Sequence, residues 1–206
     1  FAIRHARIAP LKDEGRVVLA ENGLALADIV IAAKPTRGAQ FAAYELQALL
    51  RQATGADFAI VKDSEKPSGR YELRIGDTAR SRNRGGDFLF DEWMVDVRAD
   101  AAEFIGLDQD DREFSLSYNP VRGEKFSLVG MPSLYDDKGS LLAVYRFLED
   151  TVGFRFVDYT IHGTVVPDCR KGLSVPVATR RGRPFMLYRG GSLQYDSQYW
   201  TFTNAQ

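Results

Sequence analysis

His5, His162 and Cys169 supply all the imidazole and thiol chemistry available in 206 residues. A zinc-type centre needs three or four such ligands, usually in close pairs of the His-Glu-x-x-His kind, and neither histidine has a partner at that spacing. Each reads as an ordinary surface or core histidine. Cys169 stands between Asp168 and Arg170, with no histidine after it to act as a base, so a nucleophilic thiol is disfavoured. A lone cysteine also rules out an internal disulfide. Carboxylates occur as the adjacent pairs Asp136-Asp137 and Glu149-Asp150. Acid–base cleavage needs two carboxylates facing each other across a bond, and sequence neighbours at a helix end read instead as caps or solvated charge. No catalytic residue, no metal ligand and no cofactor is therefore expected in this chain.

Charge points to no polyanionic partner. There are 27 basic and 28 acidic residues, a formal net charge of -1, so no global field favours nucleic acid or an anionic membrane. Arg80, Arg82 and Arg84 cluster, as do Arg180, Arg181 and Arg183, but both groups sit among Ser, Asn and Gly and read as solvated loops. No apolar run reaches the 18 or so residues that a membrane-spanning helix requires. The first residue is Phe1, which implies a processed or trimmed start. Aromatic residues make up 12% of the chain, and Trp93, Tyr195, Tyr199 and Trp200 have the planar surfaces a sugar-binding module would use.

The elements that would position these groups follow from periodicity. Arg16–Ala20 and Leu26–Ala32 read as a strand pair about the turn Glu21-Asn22-Gly23. Pro35-Thr36 opens a helix in which Ala42, Leu46, Leu49, Leu50 and Ala53 share one face, and Gly55 closes it. Ala56–Val61 returns as a strand. Tyr71–Ile75 and Trp93–Val97 alternate apolar and polar, which predicts a sheet with one buried face and one wet face. Residues 101–106 give another strand. Residues 108–137 read as an inserted hairpin or long loop, with β-like pieces at Phe114–Tyr118 and Lys125–Val129. Leu141, Val144, Tyr145, Leu148 and Val152 form a second helical face, with Asp136 and Asp137 suited to its positive end and Gly153 closing it. Phe154–Val157 follows as a strand. Residues 158–183 read as irregular, with some β character. The class is α+β: a mixed β-sheet with two helices on one face.

Two segments carry a family signature. Ala42-Ala43-Tyr44-Glu45-Leu46-Gln47 leads to Ala53-Thr54-Gly55-Ala56, and Gly139-Ser140-Leu141-Leu142-Ala143-Val144-Tyr145-Arg146-Phe147-Leu148-Glu149 leads to Gly153-Phe154-Arg155-Phe156. Together they resemble the domain that precedes the catalytic barrel in bacterial alpha-glucuronidases, beta-N-acetylhexosaminidases and related glycoside hydrolase-like proteins. The resemblance spans roughly residues 16–190, and the second segment is the more specific. It implies a zincin-like sheet of the hexosaminidase domain-2 type without the metal site. It also implies an accessory domain at 1–170, a linker at 171–183 and the start of a truncated (β/α)8 barrel at 184–206. In such a barrel the first strand often ends in an arginine that reaches the sugar, and Pro184-Phe185…Arg189-Gly190 looks like that strand. Arg189 is thus the one substrate-binding residue the resemblance implies. Asp196 is a weaker match to a nearby acid of the hexosaminidase pattern. The expected partner is the chain's own C-terminal barrel, with carbohydrate as ligand, and the expected setting is secreted or periplasmic. A free-standing carbohydrate-binding module and a protein-interaction module are the alternatives.

Overall fold

The computed structural model describes residues 15–112, 132, 136–157 and 163–184. The expected β pieces at 114–118 and 125–129, and the expected barrel strand from residue 185 onward, lie outside the described residues.

The chain begins with β1 (Arg16–Glu21) and the short β2 (Leu24–Ala25), an antiparallel pair. Asn22 and Gly23, with φ of 49° and 76°, form the turn that the sequence predicts there. β3 (Ala27–Ile31) then departs into a second sheet, so the hairpin is shorter than the apolar pattern suggests. Helix α1 (Arg37–Thr54) starts at Thr36, whose Oγ1 accepts from the Ala39 N–H at 3.1 Å, and stops at Gly55, which takes the left-handed cap at φ 75°. β4 (Ile60–Lys62), β5 (Tyr71–Ile75), β6 (Trp93–Val97) and β7 (Ala101–Gly106) follow. Helix α2 (Gly139–Phe147) continues through a wide π turn (Leu148–Val152) to Gly153 at φ 104°. Then come β8 (Arg155–Phe156), β9 (Thr164–Val165), β10 (Gly172–Pro176) and β11 (Ala178–Gly182).

The main sheet has the order β11-β6-β7-β5-β3-β4. Pairings from β4 through β3 and β5 to β7 are parallel, while β7–β6 and β6–β11 are antiparallel. The architecture is therefore α+β with a mixed sheet and two helices. Both helices cover the same face, because their buried residues share one core with the alternate sheet positions Ile29, Leu73, Val95 and Phe104. Phe104 meets Phe147 of α2 edge-on, with ring centroids 5.0 Å apart.

Three expectations are corrected. The sheet's other face carries the polar residues that alternation predicts, but it is not wet. The segment 76–92 folds across it, and Glu103 of β7 is fully buried there. Arg80, read as part of a solvated loop, is drawn under that cover by Glu72, at 2.5 Å. Residues 171–183, expected as a linker, supply β10, paired to β1, and β11, which forms one edge of the main sheet. Arg180, Arg181 and Arg183 belong to this edge. Arg181 pairs with Glu92 at 2.8 Å and lies over the Phe88 ring, Arg180 pairs with Asp150, and Arg183 donates to the Phe90 carbonyl. An edge strand exposes one row of backbone groups and needs little apolar sequence, so charged residues there hide it from a hydrophobic pattern.

Candidate functional site

Four neighbouring strands, β4, β3, β5 and β7, run parallel and end on the same side of the sheet. The connection after β3 leaves through α1 toward β4, while the connection after β5 leads to the opposite side of β5, where β7 and β6 lie. Ligands of open sheets with parallel strands sit outside the carboxyl ends at such a divergence, because the two connections part and leave a crevice. A solvent-open cleft of about 620 Å³ lies there, lined by the residues that directly follow each strand: Ala32–Lys34 after β3, Asp63 after β4, Asp77–Ala79 after β5.

Its floor is held by carboxylates. Asp63 accepts from the Ala33 N–H at 2.8 Å and from the Ala79 N–H at 2.6 Å, tying two loops together. Asp77 accepts from the Gly85 N–H at 2.8 Å and so fixes the segment that covers the sheet. Arg84, Arg112 and Lys34 also line the cleft. Arg84 donates to the Thr78 carbonyl at 3.1 Å, which orients its guanidinium. Arg112 pairs with Asp110 at 3.1 Å and lies 3.9 Å from Asp77.

Behind the cleft, Asp108 joins the two helices. Its Oδ2 accepts from Thr36 Oγ1 at 3.0 Å and its Oδ1 from the Ser140 N–H at 2.9 Å, so one carboxylate serves the amino ends of both α1 and α2. The helix partner expected from sequence, Asp136, instead lies 3.5 Å from Arg37 at the start of α1, alongside Asp111. Burial pushes the Asp108 carboxyl up to about 6, against the lowering by its hydrogen bonds. A folded-state value above the ordinary 3.9 means that the folded form holds the proton more tightly. This contribution is complete below about pH 4 and is lost as pH rises through about 6. Asp108→Asn removes the ionisation. The wild type is expected to lose about 2–3 kcal/mol relative to this variant between pH 4 and pH 7 in urea unfolding. A pH-independent difference would contradict the assignment.

Arg189 and Asp196 lie outside the described residues, as do His5, His162, Tyr195, Tyr199 and Trp200. Trp93 offers no platform for a sugar. Its indole packs on the core and is capped by Gly182, where a Cβ would fall 2.7 Å from the ring. Cys169 is partly buried, and its thiol is pushed up by burial and by Asp168, which agrees with an unreactive side chain. Glu149 and Asp150 bind Arg146 and Arg180 respectively rather than facing each other across a cleft. No group of His, Cys, Asp and Glu able to hold a metal ion occurs among the described residues, and no described helix is long and apolar enough to cross a membrane. Sequence reasoning passed over Lys34, Asp63 and Asp77. Their only signal is a polar residue one to three places after a short apolar strand, which gains meaning once the strands are known to be parallel.

No family model matches this chain, and no curated protein matches it.

Proposed function

We propose that this chain is a non-catalytic accessory domain of a carbohydrate-active enzyme, packing on and supporting a glycoside hydrolase barrel that follows it. The observation that carries this reading is the pair of helices on one face of a mixed sheet, the architecture that the two signature segments imply. The reading is an argument from fold and resemblance, and it assigns the chemistry to the barrel.

A second feature supports it. Leu89 and Phe90 are exposed, at 61% and 37%, beside Arg183, where the described chain leaves β11. An apolar pair at the exit is a natural seat for the domain that comes next. Secretion or periplasmic residence is the corresponding setting for an enzyme acting on external glycans.

The test has two arms. The 206-residue chain is expected to show no turnover of a panel of aryl glycosides, while a natural protein carrying a barrel-sized extension cleaves at least one. In that longer protein, Leu89→Asp with Phe90→Asp is expected to lower thermal stability and activity together, and to leave the fold of the isolated chain unchanged by circular dichroism. Turnover by the 206-residue chain, or a reading frame that closes without a barrel, overturns the proposal.

A further inference from the structure

The cleft at the carboxyl ends of β3, β4 and β5 is not used by an accessory role, and its charges are unbalanced. Among the described residues, three cations, Lys34, Arg84 and Arg112, line it together with two carboxylates, Asp63 and Asp77. Both oxygens of Asp63 are spent on backbone N–H groups, and Asp77 holds the Gly85 N–H. Among the described residues, neither Lys34 nor Arg84 has an ion-pair partner, and the Arg84 side chain donates to a neutral carbonyl, that of Thr78. By contrast, several arginines of the neighbouring covering segment and sheet, Arg74, Arg80, Arg82 and Arg98, each have a carboxylate within 4 Å. Lys34 and Arg84 thus bring two cations without an ion pair among the described residues to the lining of one concave surface. The adjoining walls are Ala32, Ala33 and Ala79, whose short side chains keep the centre of the cleft open.

We propose that this cleft is a binding site for a small oxyanion, a phosphate or carboxylate group carried on a polar body. The Arg84 guanidinium would supply paired donors in a fixed plane, Lys34 a mobile point charge, and Arg112 a third donor shared with Asp77. The site stands apart from the barrel-supporting role, so failure of either proposal leaves the other intact.

Titration calorimetry of the full chain with inorganic phosphate, with gluconate, and with neutral sorbitol tests the site. Saturable binding is expected for at least one anion and not for sorbitol, weakening as salt is raised. Phosphate and gluconate separate the two head groups. Lys34→Gln and Arg84→Gln are each expected to weaken binding about tenfold or more, without a change in melting temperature, since both side chains are exposed. Arg82→Gln lies in the same segment but pairs with Asp100, and is expected to bind as the wild type does. Absence of saturable heat with both anions, unchanged affinity in both cleft variants, or equal weakening by Arg82→Gln overturns the proposal.

Discussion

Replacing Glu103 with alanine is expected to lower the unfolding free energy by about 3–5 kcal/mol, the usual loss when one partner of a buried ion network is removed. Glu103 is fully buried on the face of the sheet away from the helices. Its Oε1 accepts from the Arg82 N–H and from Arg98 Nη2, each at 2.8 Å, and its Oε2 from the Asn83 N–H and from Asn83 Nδ2, at 3.1 and 2.8 Å. Arg98 also binds Asp96, and Arg74 links Glu103 to Glu72. Alanine would leave Arg98 with part of its charge uncompensated and two backbone N–H groups without acceptors.

The loss has a local signature. Arg82 and Asn83 anchor the segment 76–92, so their amides are expected to exchange with solvent faster in Glu103→Ala, while amides of α1 keep their protection. The pH dependence also has a definite sign. Burial raises the Glu103 carboxyl, but the Arg82 N–H, Arg98 and Asn83 together more than offset it, and the net position is below the ordinary value. A depressed folded-state value means stability that is present above the unfolded value of about 4.3 and is lost as pH falls through the folded one. The gap between wild type and Glu103→Gln is therefore expected to be widest near neutrality and to narrow in acid. A gap that stays constant or widens below about pH 4, or a Glu103→Ala loss under about 1 kcal/mol, would falsify the account.

This buried network also marks the limit of what a single sequence reveals. Alternation in Tyr71–Ile75 separates Leu73 from Glu72 and Arg74, and the structure keeps that separation. Period two states which side chains share a face, and is silent about what covers that face. The cover comes from residues 76–92, whose one short helical turn, Gly85–Asp87, and scattered glycines carry no periodic signal. Both helices were legible because their information is local: Thr36, Gly55 and Gly153 sit at the ends of regular apolar stripes. β11 was not, because Ala178–Gly182 is recognisable as a strand through its partner β6 and not through its own residues. The same reason hides the cleft. Lys34, Asp63 and Asp77 are 29 and 14 residues apart along the chain, and only the parallel register of β3, β4 and β5 brings them to one rim.

Gly106→Ala is expected to cost about 3 kcal/mol, at the upper end for adding one methyl to a packed interior. Gly106 ends β7 and Gly139 begins α2, and the two backbones cross with no side chain between them. A Cβ on Gly106 would overlap the Glu92 carbonyl oxygen and lie 2.7 Å from Gly139 Cα. Those neighbours are backbone atoms, so no rotamer change relieves the overlap. Relief requires both the Glu92 carbonyl, the nearest atom, and the start of α2 to shift, and α2 carries Phe147 and the Ser140 N–H that Asp108 holds. Gly139→Ala meets the same obstacle from the other side, 2.6 Å from Gly106 Cα. Because both methyl groups would meet the Glu92 carbonyl oxygen and the same backbone crossing, one shared displacement relieves both, and the double variant is expected to lose less than the sum of the two single losses, by more than about 0.5 kcal/mol. Gly86→Ala is the control. It lies in the covering segment, has open space around it and has no positive φ, so its change is expected to stay within about 0.5 kcal/mol. Urea unfolding of the four variants decides the matter. Strict additivity at positions 106 and 139, or a Gly106→Ala loss no greater than that of Gly86→Ala, would show that the helix does not press on the strand end in solution.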